Sequence, residues 1–339
     1  MLDIRTKLSA AAILFLCLCL QGVPWAWGQS ADTAKLTEGA KKEGELVIYG
    51  SMNLRDANLI MGKFREKYPF IDAKLNRLGN KILPKVLAET RAGKFFADIL
   101  QNNALGLHFL KKGGLLAYHL SPEDRFYPKQ FKDPGYWTTT NMNVHVIAYN
   151  TKLVARGKLP KRWEDLLNPA WKGKMMLDPS EQWFAWMLQV MGEEKGLNYM
   201  RELAKQNIAI RSESNAMRAE LIAAGEVGLD IDGSYGPVTQ LQRRGAPIDW
   251  TTLGPVLVIP SGHGIAARAP HPNAAKLFTD FLLSKEGQRL VLSLDRQVIR
   301  SDLFHEQAAI KDLQLVPADP ALGENMDSFG KQAREIFSK

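Results

Sequence analysis

Short apolar runs alternate with amphipathic stretches along most of this chain, and that alternation restricts the fold more than any other feature. Glu45–Gly50 (ELVIYG) is an apolar run closed by glycine, the mark of a buried strand. Leu54, Ala57, Ile60, Met61 and Phe64 then recur at helical spacing over residues 53–68, until Pro69 stops the pattern. Residues 71–78 predict a second strand, 81–91 a helix, 97–100 a third strand, and 105–112 a helix ending at Gly113-Gly114. A βαβαβα order calls for a parallel sheet with right-handed crossovers. An irregular stretch at 118–135 leads into a long β-rich segment, 136–150, after which the alternation restarts. Strands are expected over 174–179, 207–211 and 226–232, and helices over 181–191, 196–205, 215–224 and 235–244. A second extended segment, 255–268, precedes helices at 273–284 and 285–294 and a tail that reads as helical from Asp302.

The fold class expected is therefore α/β: a clamshell of two α/β lobes joined by crossover strands, with a ligand cleft outside the carboxyl ends of the parallel strands. Lobe 1 takes residues 29–142 and 261–300, and lobe 2 takes 143–260. The tail, 301–339, is not assigned to either. Closure would be a hinge motion about the crossings.

The N-terminus points to export. Arg5 and Lys7 precede the uncharged run Leu8–Leu20, and Ala26-Trp27-Gly28 places small residues where a signal peptidase reads, so residues 1–28 read as a signal peptide cut after Gly28. The run is shorter than the roughly 20 apolar residues of a membrane span. Cys17 and Cys19 follow leucines rather than the small residue of a lipobox, and no other cysteine occurs. The mature chain thus has no thiolate metal site, disulfide or thiol redox chemistry. Apolar content of 45% with 24% charged residues is that of a soluble globular protein. The net charge of +8 is scattered in pairs such as Lys111-Lys112 and Arg243-Arg244, with no basic stripe, so a nucleic-acid partner is not expected. No heptad or long apolar stripe appears, and a monomer is expected. Neither G-x-S-x-G, H-E-x-x-H nor a P-loop occurs, so no residue is assigned a catalytic role.

Four stretches resemble the bacterial extracellular solute-binding proteins of the ferric-iron class: KKEGELVIYGS (41–51), RWEDLLNPAWKGK (162–174), AAGEVGLDIDGSYG (223–236) and AAKLFTDFLLSKEGQRLV (274–291). The resemblance runs over essentially the whole mature chain. It implies the periplasmic-binding-protein fold, a periplasmic location, and delivery of a small ligand to the membrane permease of an ABC importer. A ligand sensor docking on a membrane kinase is the alternative of another class. Ferric-binding members place two adjacent tyrosines where this chain reads Ser234-Tyr235, and often carry arginines where it reads TTNMNVHVIAYN (139–150).

The candidate site lies on the loops that follow the strands. Ser51 and Met52 sit beside Gly50, where the backbone can approach a solute and the next helix offers free N–H groups. Asn102 and Asn103 follow Gln101 with amides that donate or accept. Ser180 starts a helix and is equally suited to capping it, and Ser214 falls in a stretch, 212–215, expected beside the loop at Asp232. Trp183 is positioned to stack on an organic ligand. Asp232, Ser234 and Tyr235 close the set, and His145 and His263 fall in the crossing segments. Two cargoes are compatible with these residues. One is a small anionic organic molecule such as a phosphonate, sugar phosphate or carboxylate. The other is Fe3+ as transported ligand, with Tyr235 as its phenolate donor. No resident cofactor is expected.

Overall fold

The computed structural model describes residues 31–338. The segment read as a signal peptide, residues 1–28, lies outside them. No helix among the described residues is long and apolar enough to cross a membrane.

Lobe 1 opens with α1 (Ala31–Glu43), β1 (Glu45–Gly50), α2 (Leu54–Lys67), β2 (Asp72–Arg77), α3 (Ile82–Arg91), β3 (Ile99–Asn103), α4 (Ala104–Lys112) and the short β4 (Leu116–Ala117). β1 pairs in parallel with β2 on one side and β3 on the other. β5 (Lys132–Asp133) leads into β6 (Trp137–Asn150), the first crossing. Lobe 2 follows with β7 (Met175–Leu177), α5 (Glu181–Met191), α6 (Glu193–Ala204), β8 (Ala209–Ile210), α7 (Asn215–Ala224), β9 (Leu229–Ser234), α8 (Tyr235–Arg243) and β10 (Ile248–Thr251). The return crossing β11 (Val256–Ala266) leads to α9 (Pro272–Leu283), α10 (Lys285–Ser293), α11 (Ser301–Phe304), β12 (Leu315–Pro317) and α12 (Met326–Phe337).

One path of strands, β2-β1-β3-β11-β6-β9-β7-β8, runs through both lobes. Its outer parts are parallel, while β11 and β6 pair antiparallel with each other and with their neighbours. β6 pairs with β11 through Val144 and with β9 from His145, so the chain changes lobes between those two residues. β11 shifts register between Ser261 and Gly262. A Cβ at Gly262 would lie 2.2 Å from the carbonyl oxygen of Thr138, so only glycine lets the two crossings approach this closely.

Each lobe buries apolar side chains on both faces of its sheet. Phe64, Phe278 and Phe281 pack under α2 and α9 in lobe 1, and Trp183, Phe184, Trp186 and Met200 under α5 and α6 in lobe 2. His263 belongs to this core rather than to the cleft. It is 3% exposed, its ring meets Phe278, and Nε2 bonds Thr279 Oγ1 at 3.1 Å. Burial pushes its imidazole down to about 4. The unfolded chain therefore binds a proton that the folded one refuses between about pH 6.5 and 4, and stability falls as pH drops through that window. His263→Asn is expected to remove this sensitivity. Relative to its value at pH 7.5, the parent should lose about 2 kcal/mol more than the variant at pH 5. Equal losses in urea titrations at the two pH values would exclude the effect.

The tail is helical only in part. Leu315–Pro317 is a strand, paired in parallel with Val256–Val258 of β11. An extended third crossing had no local signal, because its strand character comes from the β11 edge beside it.

Candidate functional site

The lobe-1 half of the cleft is built where β1 and β3 end. Asn53 caps α2 by accepting from Asp56 N at 2.9 Å, and Asn103 caps α4 by accepting from Gly106 N at 2.9 Å. Residues 101–103 are not a loop: they pair with Ser261–His263 of β11, which gives polar residues of weak strand propensity a partner. Asn102 spends its side-chain oxygen on Asn103 N. Gln101 is the side chain the loop reading passed over. It is 7% exposed, and its Oε1 accepts from Ser51 N at 3.0 Å and from Met52 N at 3.1 Å. Gly50 makes the room, since a Cβ there would lie 2.5 Å from that same oxygen.

Ser51, Met52, Asn53, Gln101, Thr140, Asn141, Ser261 and Arg296 converge on a concavity of ≈ 810 Å³ that opens to solvent. Its one carboxylate, Asp56, is already neutralised. Arg296 donates to it through Nε at 2.8 Å, and Asn53 Nδ2 does so at 2.8 Å. Arg296 lies 240 residues from its partner in sequence, which is why nothing local marked it.

The lobe-2 half is a network centred on Arg218, a residue of α7 that is 1% exposed. Its Nε donates to Asp230 at 3.0 Å, Nη1 to Asp178 at 3.3 Å, and Nη2 to the carbonyl of Asp232 at 2.6 Å. Burial, with the Asp232 charge beside it, raises Asp230 to about 6 against the opposing pull of Arg218. Desolvation also raises Asp178. Asp232 Oδ1 bonds His145 Nδ1 at 2.7 Å, and His145 Nε2 meets Asn143 Nδ2 at 3.2 Å. Ser234 Oγ donates to Asn143 Oδ1 at 2.6 Å. The contacts tie β6 and β9 together at the point where the chain changes lobes.

Several candidate residues stand elsewhere than the sequence suggested. Asp232, Gly233 and Ser234 belong to β9, and α8 starts directly at Tyr235. Asp232 and Ser234 are each 3% exposed, enclosed by the Arg218 and Asn143 contacts. Ser180 and Ser214 cap α5 and α7, accepting from Trp183 N and Met217 N. Trp183 is not a stacking platform in the cleft. It is 1% exposed, with its ring edge on Phe337 of α12. Tyr235 is half-buried with its ring 5.3 Å from Trp250, and desolvation raises its phenol. Of the ten residues proposed from sequence, Ser51 and Met52 line the lobe-1 concavity.

A family model described as bacterial extracellular solute-binding protein matches residues 96–295. An uncharacterised protein of Haemophilus influenzae is 26% identical over 292 residues, spanning 77% of this chain and 81% of that protein. The Fe(3+)-binding periplasmic protein of Serratia marcescens is 26% identical over 176 residues, 48% of this chain and 51% of its own length. Among solved structures, iron-bound HitA from Pseudomonas aeruginosa superposes with a TM-score of 0.71 at 24% identity, covering 86% of this chain and 99% of that one. AfuA from Actinobacillus pleuropneumoniae, with fructose-6-phosphate bound, gives a TM-score of 0.66 at 24% identity, covering 86% and 97%. These likenesses establish the two-lobed fold.

Proposed function

The chain belongs to the bacterial extracellular solute-binding proteins, the periplasmic substrate-binding components of ABC importers, and we propose that its solute is a small organic anion gripped by its acidic group in lobe 1. The observation that carries this reading is the chemistry of the lobe-1 concavity. Several of its acceptors are engaged by neighbours: Asp56 Oδ2 by Arg296, Asn53 Oδ1 by Asp56 N, and Gln101 Oε1 by two backbone N–H groups. Groups able to donate line the same space: the Gln101 and Asn141 amides, the Ser51 and Ser261 hydroxyls and the Arg296 guanidinium, beside the start of α2. Such a wall favours oxygen-rich anions. The protein binds and hands on this molecule without turning it over, and closure about β6, β11 and β12 sequesters it.

The fructose-6-phosphate held by AfuA is a solute of this kind, whereas the iron-binding relatives raise Fe3+ as the other cargo. Tyr235 turns its ring onto Trp250. Among the described residues no group of three or more His, Cys, Asp or Glu side chains is placed to share a metal ion. The test is a thermal-shift and dialysis panel of fructose 6-phosphate, 2-aminoethylphosphonate, citrate and ferric citrate. An organic anion at 100 times its Kd should stabilise the protein by about 2.7 kcal/mol. Tyr235→Phe is expected to leave that stabilisation unchanged, and ferric citrate is expected to give no visible tyrosinate band. A band that appears in the parent and vanishes in Tyr235→Phe would replace this reading with ferric iron.

A further inference from the structure

We propose that Gln101 is the specificity-determining residue of the lobe-1 half-site, presenting a fixed donor that selects an oxyanion group over a neutral or cationic one. The inference rests on the proposed function and narrows it to one side chain.

An amide side chain ordinarily serves either sign of partner, because one end accepts and the other donates. Here that ambiguity is removed. Ser51 N and Met52 N both point at one atom of Gln101, at 3.0 and 3.1 Å, and only the carbonyl oxygen can accept from both. The orientation of the amide is therefore set by two backbone donors, and Nε2 must take the opposite direction. Nε2 carries no hydrogen bond among the described residues. It is not among the sealed, unpartnered atoms of the interior, although the residue as a whole is 7% exposed and lines the concavity. A donor of this kind, on a side chain 7% exposed yet open to the space before it, offers a fixed hydrogen bond to an acceptor that enters there.

Its surroundings agree. Gln101 is rigid because β3 is paired with β11 at His263↔Gln101, so the donor's position is fixed before any ligand arrives. Arg296 also lines the space, its carboxylate partner being Asp56. Two donors from β3 and the segment after α10 thus flank one volume beside the start of α2. A phosphonate, phosphate or carboxylate oxygen fits between them.

The decisive variant is Gln101→Glu. A glutamate keeps an oxygen for Ser51 N and Met52 N, so the loop anchor survives, but the atom facing the concavity becomes an anionic acceptor. If Gln101 only held the loop, the loss would be limited to the repulsion from the added charge, and Gln101→Met would cost no affinity beyond its effect on the ligand-free midpoint. As a solute donor, its replacement removes a charge-assisted hydrogen bond and adds a like charge, and affinity should fall by about 100-fold. Gln101→Met, which adds no charge, should lower affinity by about 10-fold. Fructose 6-phosphate, 2-aminoethylphosphonate and citrate serve as probes in isothermal titration, and the thermal midpoint of the ligand-free proteins reports folding. The expected result is a ligand-free midpoint for Gln101→Glu equal to or above that of the parent, with binding of the parent's probe nearly lost. Undiminished binding by Gln101→Glu overturns the assignment while leaving the proposed function intact. Failure of the parent to bind any of the three overturns both.

Discussion

Arg218→Met is expected to destabilise the protein by about 3–5 kcal/mol, because it strips the cation from a buried group of carboxylates and leaves them charged. Asp230 is 1% exposed and Asp232 3%, and the guanidinium reaches both as well as Asp178. Little of the loss is packing, since methionine fills much of the same stem. The pH dependence identifies the cause. In the parent, Asp230 is already raised to about 6 by burial. Without Arg218 its folded pKa rises further above its unfolded value, so the variant takes up a proton that the unfolded chain does not. Protonation relieves the variant as pH falls, and its deficit should be smaller at pH 5.5 than at pH 8. Adding Asp230→Asn should restore part of the stability at pH 8. Denaturant unfolding at the two pH values checks this. A deficit under about 1 kcal/mol at pH 8 would show that the carboxylates find solvent or other partners.

The frame of the molecule was legible because its local signals agree with its tertiary structure. ELVIYG folds as β1 to the residue, and residues 215–224 fold as α7 to the residue, between a serine cap and Gly225 in the left-handed conformation. The site was less legible because its strands are made by partners far away in sequence. Gln101-Asn102-Asn103 and Asp232-Gly233-Ser234 carry turn residues, yet β11 and β6 pair with them across more than 80 positions. Reading 101–103 as a loop made the three side chains look equivalent. As a strand they alternate faces, and Gln101 is the one that reaches the β1 loop. Gly50 was the available signal: a glycine closing a strand leaves room for a neighbour, and that neighbour is Gln101. Trp183 misled for the opposite reason. It begins a helix of the sequence EQWFAWMLQVM, apolar on all sides, which calls for cover on every face. The cover is α12, whose first residue follows Met191 by well over a hundred positions.

Ending the chain at Ala318 is expected to uncouple lobe 2 from lobe 1. The removed segment touches both lobes in turn. Its turn at Pro320–Asn325 lies on α4, with Gly323 against Leu105 and Phe109, and Glu324 bonds Lys112 at 2.7 Å. α12 then covers α5, placing Phe337 against Trp183 and Phe329 against Phe184. Burial of Phe337 contributes about 1.5–3 kcal/mol and the half-buried Phe329 a part of that, so the loss should be about 2–5 kcal/mol, concentrated in lobe 2. β12 stays, together with the bond from Trp186 Nε1 to Val316 O at 3.2 Å, so the truncation tests the cover and the strap rather than the third crossing. The apolar face of α5 would be left open, a patch that binds hydrophobic dyes. Unfolding should split into two steps, lobe 2 melting first, because lobe 1 keeps its own cores. A single transition at the parent's midpoint would mean that α5 needs no cover. If only the surface pair between Lys112 and Glu324 mattered, Glu324→Gln would reproduce the effect; at an exposed site it is expected to leave stability nearly unchanged.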